Sequence, residues 1–146
     1  MPETSPAAPP ASSRTRLLLV DDSAEGRRAL ARLLELYGYD VTAVGDGTSA
    51  LAHLSRTPPP EVIVTDLMLP DVDGREIARQ AKLTVPSAIV AVITGWDFGA
   101  EAPDPKLTGI DRLFLKPVNA ADLVSWLRSS SASSKLRPHP NASKPE

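Results

Sequence analysis

The chain has 146 residues, with 16 Lys and Arg against 18 Asp and Glu, a net charge of −2, and no cysteine. That length suits one domain, and the missing cysteines exclude disulfides and thiolate metal or redox centres. Residues 16–128 alone hold 12 basic against 16 acidic side chains, a balance that argues against a nucleic-acid surface.

Residues 1–15 and 129–146 are rich in Pro, Ser and Ala and are expected to be disordered tails flanking a globular part at 16–128. Residues 16–21 form an almost wholly apolar run, as in a strand buried on both faces. Residues 24–37 follow as a helix, with Leu30, Leu33, Leu34 and Tyr37 at helical spacing and Gly38 as the stop. Val41–Val44 reads as a short strand. Asp46 caps a helix to about Ser55, which Pro58-Pro59-Pro60 ends. Residues 62–65 form a third strand, and a loop with Pro70, Asp71, Asp73 and Gly74 leads into a helix over 75–82. Residues 88–94 are a fourth strand and 112–115 a fifth; between them Gly99, Pro103 and Pro105 leave room only for a short or irregular helix over 97–109. Asn119, with Asp122 three residues on, opens the last helix, whose Leu123, Val124 and Leu127 face inward. Such a βα alternation implies an α/β fold: a five-stranded parallel sheet with helices on both faces.

Polar residues stand at the ends of the apolar runs. Asp21 and Asp22 follow Leu17–Val20, Asp66 follows Val62–Thr65, Thr94 follows Ile89–Ile93, and Lys116 follows Leu113–Leu115. In a parallel sheet these are carboxyl ends, the edge where open α/β sheets bind ligands. Three carboxylates there repel one another, and a hard divalent cation, Mg²⁺ above all, would relieve them. Asp66 is then a candidate nucleophile that forms an aspartyl phosphate. Lys116 would neutralise charge on the phosphoryl group, and Thr94 would donate a hydrogen bond to one of its oxygens.

The segments Leu19-Val20-Asp21-Asp22, Asp66-Leu67-Met68-Leu69-Pro70-Asp71-Val72-Asp73-Gly74, Thr94-Gly95 and Lys116-Pro117 are similar, in order and spacing, to the receiver domain of two-component response regulators. The resemblance covers Arg16 to Arg128. It implies a flavodoxin-like, doubly wound sheet in the order 2-1-3-4-5 and a cis Lys116–Pro117 bond. It also implies Mg²⁺ bound by Asp22, by Asp66, by the Met68 carbonyl and by Asp21, often through water. The phosphoryl donor it implies is a phosphohistidine on a sensor or hybrid histidine kinase, or on a histidine phosphotransfer protein. Receivers usually carry an aromatic residue three positions before the lysine. Here that place holds Leu113, and Phe114 is displaced by one, onto the other face of the strand. In the family the positions of Met68 and Trp96 flank the path of the hydrolytic water, so two bulky side chains there imply slow loss of the phosphoryl group.

The expected function is a stand-alone receiver acting through a downstream protein or a phosphorelay, a phosphoacceptor rather than a turnover enzyme. Two other readings use the same residues: a binding module independent of phosphorylation, and a small phosphohydrolase. Neither a membrane span of roughly 18 apolar residues nor a signal-peptide core is recognisable, so a cytoplasmic protein is expected. His53 and His139 lie away from every motif. Asp71-Val72-Asp73-Gly74 reads as a turn and helix start rather than a calcium loop, and Trp126 as packing.

Overall fold

Three runs of apolar residues too short for helices become the centre of the sheet. These are β1 (Arg16–Val20), β3 (Val62–Asp66) and β4 (Ile89–Thr94), buried along nearly their whole length. The more exposed strands β2 (Asp40–Val44) and β5 (Arg112–Leu115) close the two edges. The order is β2-β1-β3-β4-β5 and every pairing is parallel, so the expected topology holds. The structure, a computed structural model, describes residues 14–95 and 109–136. Nearly all of the expected short helix at 97–109 and most of the two tails lie outside the described residues.

Alternation along each strand sorts side chains between two helical layers. Leu17, Leu19, Val64, Ile93 and Phe114 meet α1 (Ala24–Leu36) and α4 (Ala120–Leu136) on one face. Leu18, Val20, Ile63, Val90 and Val92 meet α2 (Gly47–Leu54) and α3 (Gly74–Thr84) on the other. Each fully buried Leu or Ile in these layers contributes about 2 kcal/mol of transfer free energy. The helix starts are those read from sequence: Asp46 accepts from Ser49 N, and Asn119 from Asp122 N. At the end of α1, Gly38 (φ 100°) donates to the Glu35 carbonyl and Tyr39 to that of Leu34, a Schellman closure.

Two expectations need correction. Leu33 and Tyr37 are 43% and 38% exposed, so the buried stripe of α1 is narrower than the leucine spacing suggested. The last helix runs to Leu136, past Arg128, where a disordered tail was expected to begin. Residues 129–136 hold neither Pro nor Gly, and the first breaker is Pro138.

The displaced aromatic is where the sequence put it. Phe114 packs on the α1/α4 side, edge-to-face with Trp126 at 5.7 Å between ring centroids. The Arg112 guanidinium lies 4.8 Å from its ring centroid. Leu113 packs toward the α2/α3 layer instead.

Candidate functional site

Because all strands are parallel, their carboxyl ends share one edge. Asp66 is the last residue of β3 and is 3% exposed. Lys116 follows β5 directly, and its Nζ lies 3.2 Å from Asp66 Oδ1. Asp21 and Asp22 follow β1, and one carboxylate oxygen from each of Asp21, Asp22 and Asp66 falls within 4.8 Å of the others. Thr94 ends β4, buried; Asp66 is in register with Ile93, so Thr94 stands one residue beyond it. The Thr94 carbonyl accepts from Lys116 N at 2.8 Å, tying the ends of β4 and β5 together. The Lys116–Pro117 bond is cis. The five side chains singled out in the sequence thus gather at one edge. Met68, two residues past Asp66, turns its side chain outward at 67% exposure. Trp96 and His139 lie outside the described residues, and His53 sits on α2, its Nδ1 3.0 Å from the Ser49 carbonyl.

Burial raises the Asp66 carboxyl to about 6, with the hydrogen-bonding and like-charged Asp21 carboxylate pushing the same way. Lys116 pulls in the other direction and is outweighed. Asp66 Oδ2 is buried and has no hydrogen-bond partner among the described residues. A buried acceptor without a partner is costly. A buried carboxylate with an unpartnered oxygen, clustered with two further carboxylates, is a donor set that fits a hard divalent cation.

The supporting contacts fix the three loops. The Asp21 Oδ1 atom accepts from Ser23 N at 2.9 Å, and Ser23 Oγ accepts from Gly26 N, capping α1. Arg27 Nη1 donates to the Asp21 carbonyl at 2.8 Å, bracing the acidic turn from α1. After β3 the chain returns at Gly74, whose N–H donates to the Leu67 carbonyl at 2.8 Å. Only glycine fits there, because a Cβ would collide with the Asp66 carbonyl oxygen and lie 2.9 Å from Leu67 Cα. Asp71 reaches across to α2, where its carboxylate accepts from Gly47 N, Thr48 N and Thr48 Oγ1. The Thr48 hydroxyl first, and these N–H groups next, hold the Asp71 carboxyl far below the usual carboxylate range. Neither Arg27 nor Asp71 stood out in the sequence as a support of the site. Arg27 meets a backbone carbonyl, and Asp71 meets backbone amides and the Thr48 hydroxyl of another element, partners that sequence spacing does not reveal.

Beside Asp66 and Lys116 a cavity of about 500 Å³ opens between α1 and the turn into α4, walled by Ala29, Leu30, Leu33, Pro117 and Val118.

The family model of the response regulator receiver domain matches residues 17–128. The chain belongs to the receiver family. Its relatives place this receiver in two-component signalling. It is 36% identical over 110 residues to the response regulator receiver protein CpdR of Brucella abortus, covering 75% of this chain and 91% of CpdR. It is 33% identical over 114 residues to the response regulator MprA of Mycobacterium leprae, covering 78% of this chain but only 50% of MprA. Among solved structures, it is similar to a Burkholderia pseudomallei response regulator described with a phosphorylated aspartic acid, a calcium ion and citrate. That likeness has a TM-score of 0.70 at 27% identity and covers 85% of this receiver and 73% of that chain.

Proposed function

We propose that Asp66 accepts a phosphoryl group from a protein phosphohistidine in a Mg²⁺-dependent reaction. The observation that carries this reading is the buried Asp66 carboxylate, with Oδ1 against Lys116 Nζ, Oδ2 unpartnered, and two more carboxylates clustered with it. Asp21, Asp22 and Asp66 would hold the ion, with the Met68 carbonyl by resemblance to the family. When bound, Mg²⁺ supplies charge neutralisation to the acidic site and the transferring phosphoryl oxygens.

Within that setting an Asp66 oxygen attacks phosphorus, and the P–N bond breaks with its electron pair left on the imidazole. The Lys116 ammonium, already 3.2 Å from Asp66 Oδ1, stands where negative charge builds on the phosphoryl oxygens. Thr94, at the end of the neighbouring strand, donates its hydroxyl to one of those oxygens. The phosphorylated aspartic acid of the Burkholderia relative supports the assignment of Asp66.

The apolar walls of the cavity suit a partner that surrounds its phosphohistidine with apolar side chains, and the partner class we propose is a sensor or hybrid histidine kinase or a histidine phosphotransfer protein. CpdR, a response regulator receiver protein matched over 91% of its length, supports the reading as a receiver of single-domain size.

Phosphoramidate carries the same P–N bond as phosphohistidine and tests the reading without a partner. With Mg²⁺, intact mass should show one added phosphoryl group, and chelation should abolish it. An unchanged mass with Mg²⁺ present would remove the proposal.

A further inference from the structure

The loop from Leu67 to Asp73 leaves β3 at Asp66 and re-enters regular structure at Gly74. Its base is closed by the Gly74 N–H on the Leu67 carbonyl. Along its outer stretch, Met68, Leu69 and Pro70 make no hydrogen bond with any described residue. Leu69 and Val72 lean on the α2/α3 core, contacts that set depth but not direction. The directional anchor is Asp71.

All four lone-pair positions of that carboxylate are filled. Oδ1 accepts from Gly47 N at 2.9 Å and from Val72 N at 2.8 Å, while Oδ2 accepts from Thr48 N at 2.9 Å and Thr48 Oγ1 at 2.7 Å. Asp46 accepts from the next amide, Ser49 N, so the opening amides of α2 are shared between its own cap and a residue 24 positions along the chain. The fit is tight as well as polar, since a Cβ on Gly47 would come 2.5 Å from Val72 Cβ.

We propose that Asp71 is a positioning residue for the acidic site: it clasps the N-terminus of α2 and thereby fixes where residues 67–70 present their backbone beside Asp66. This rests on the reading of that site as a Mg²⁺ and phosphoryl centre. The clasp lies three residues from Met68, whose carbonyl that reading makes a metal ligand. Freeing the loop would leave the carboxylates in place but let this fourth oxygen wander, so metal affinity falls while the sheet stays intact. Partners that orient a ligand in this way typically govern 10- to 100-fold in metal affinity.

The test uses the full chain and four proteins: wild type, Asp71→Ala, Thr48→Val and Thr48→Ser. Mg²⁺ alone is titrated by calorimetry, and amide hydrogen exchange is followed in the metal-free proteins. Asp71→Ala should weaken Mg²⁺ binding about tenfold and Thr48→Val a few-fold, with Thr48→Ser close to wild type. Exchange should quicken at the amides of Gly47, Thr48 and Val72, which Asp71 holds, while β3 stays protected. Equal Mg²⁺ affinity in wild type and Asp71→Ala, or unchanged loop exchange, overturns the proposal. Should Asp71→Ala fail to fold, the comparison of Thr48→Val with Thr48→Ser decides, and equal affinities there overturn it. Wild type that binds no Mg²⁺ refutes the metal-site reading itself, a result distinct from a wild type that binds and a variant that binds as well.

Discussion

Asp66→Asn should make the metal-free protein more stable at neutral pH, although it removes the partner of Lys116. The folded carboxyl titrates at about 6 against an ordinary 3.8, chiefly through burial and then through Asp21. Between those values the native state binds more protons than the unfolded chain, so stability falls as pH rises through the window. The gap of about 2 units corresponds to about 3 kcal/mol lost by pH 7. Asparagine is a neutral stand-in for the protonated acid and escapes that loss. The gain should shrink to well under 1 kcal/mol by about pH 4, where folded Asp66 is itself protonated. For a domain of this size about 3 kcal/mol is worth roughly 10 °C in Tm. The assay is thermal and urea unfolding of both proteins in chelator at pH 7 and pH 4. An Asn variant less stable than wild type at pH 7, or a gain equal at both pH values, would show that Asp66 is not an electrostatic liability in the empty site.

Mg²⁺ should reverse the same term. Its stabilisation of wild type, read as a rise in Tm, should be large at pH 7 and fade as pH falls through about 6, because a protonated Asp66 cannot serve as a ligand; a Mg²⁺ effect of equal size at pH 5 contradicts this. Lys116→Ala removes the one cation among the described residues that pulls the Asp66 carboxyl down, so the Asp66 titration followed by NMR should move above 6. Phosphorylation by a small donor should slow about 100-fold in the same variant, as when other preorganised charge stabilisers are removed. Gly74→Ala drives a methyl into the Asp66 carbonyl and should cost about 2 kcal/mol or more in urea unfolding. Phe114→Ala, emptying a site 8% exposed against Trp126, should cost about 3 kcal/mol by the same measurement.

The central strands were legible because burial on both faces leaves an unbroken apolar run, as in Leu17–Val20 and Ile89–Ile93. Once those runs are parallel, Asp21, Asp22, Asp66, Thr94 and Lys116 must share an edge. Even the shift of Phe114 was readable, since one residue along a strand exchanges faces and puts the ring under α4. What sequence withheld is what depends on the far side of a contact. Leucine spacing on α1 could not show that Leu33 borders an open cavity rather than a neighbouring helix. Asp71 read as a turn residue because its partners, the amides of Gly47 and Thr48, belong to another element. Arg27 has the same concealment, its guanidinium spent on a backbone carbonyl of Asp21. The supports of this site are tertiary hydrogen bonds, mostly to the main chain, whose far partners sequence spacing does not show.

The most direct test of the account is to trap the phosphorylated residue. Wild-type protein is incubated with acetyl phosphate and Mg²⁺, reduced with borohydride, which converts an aspartyl phosphate to homoserine, and mapped by peptide mass spectrometry. The account predicts homoserine at position 66 alone, none when Mg²⁺ is chelated and none in Asp66→Asn. Homoserine at another aspartate, or the same yield without Mg²⁺, would contradict it.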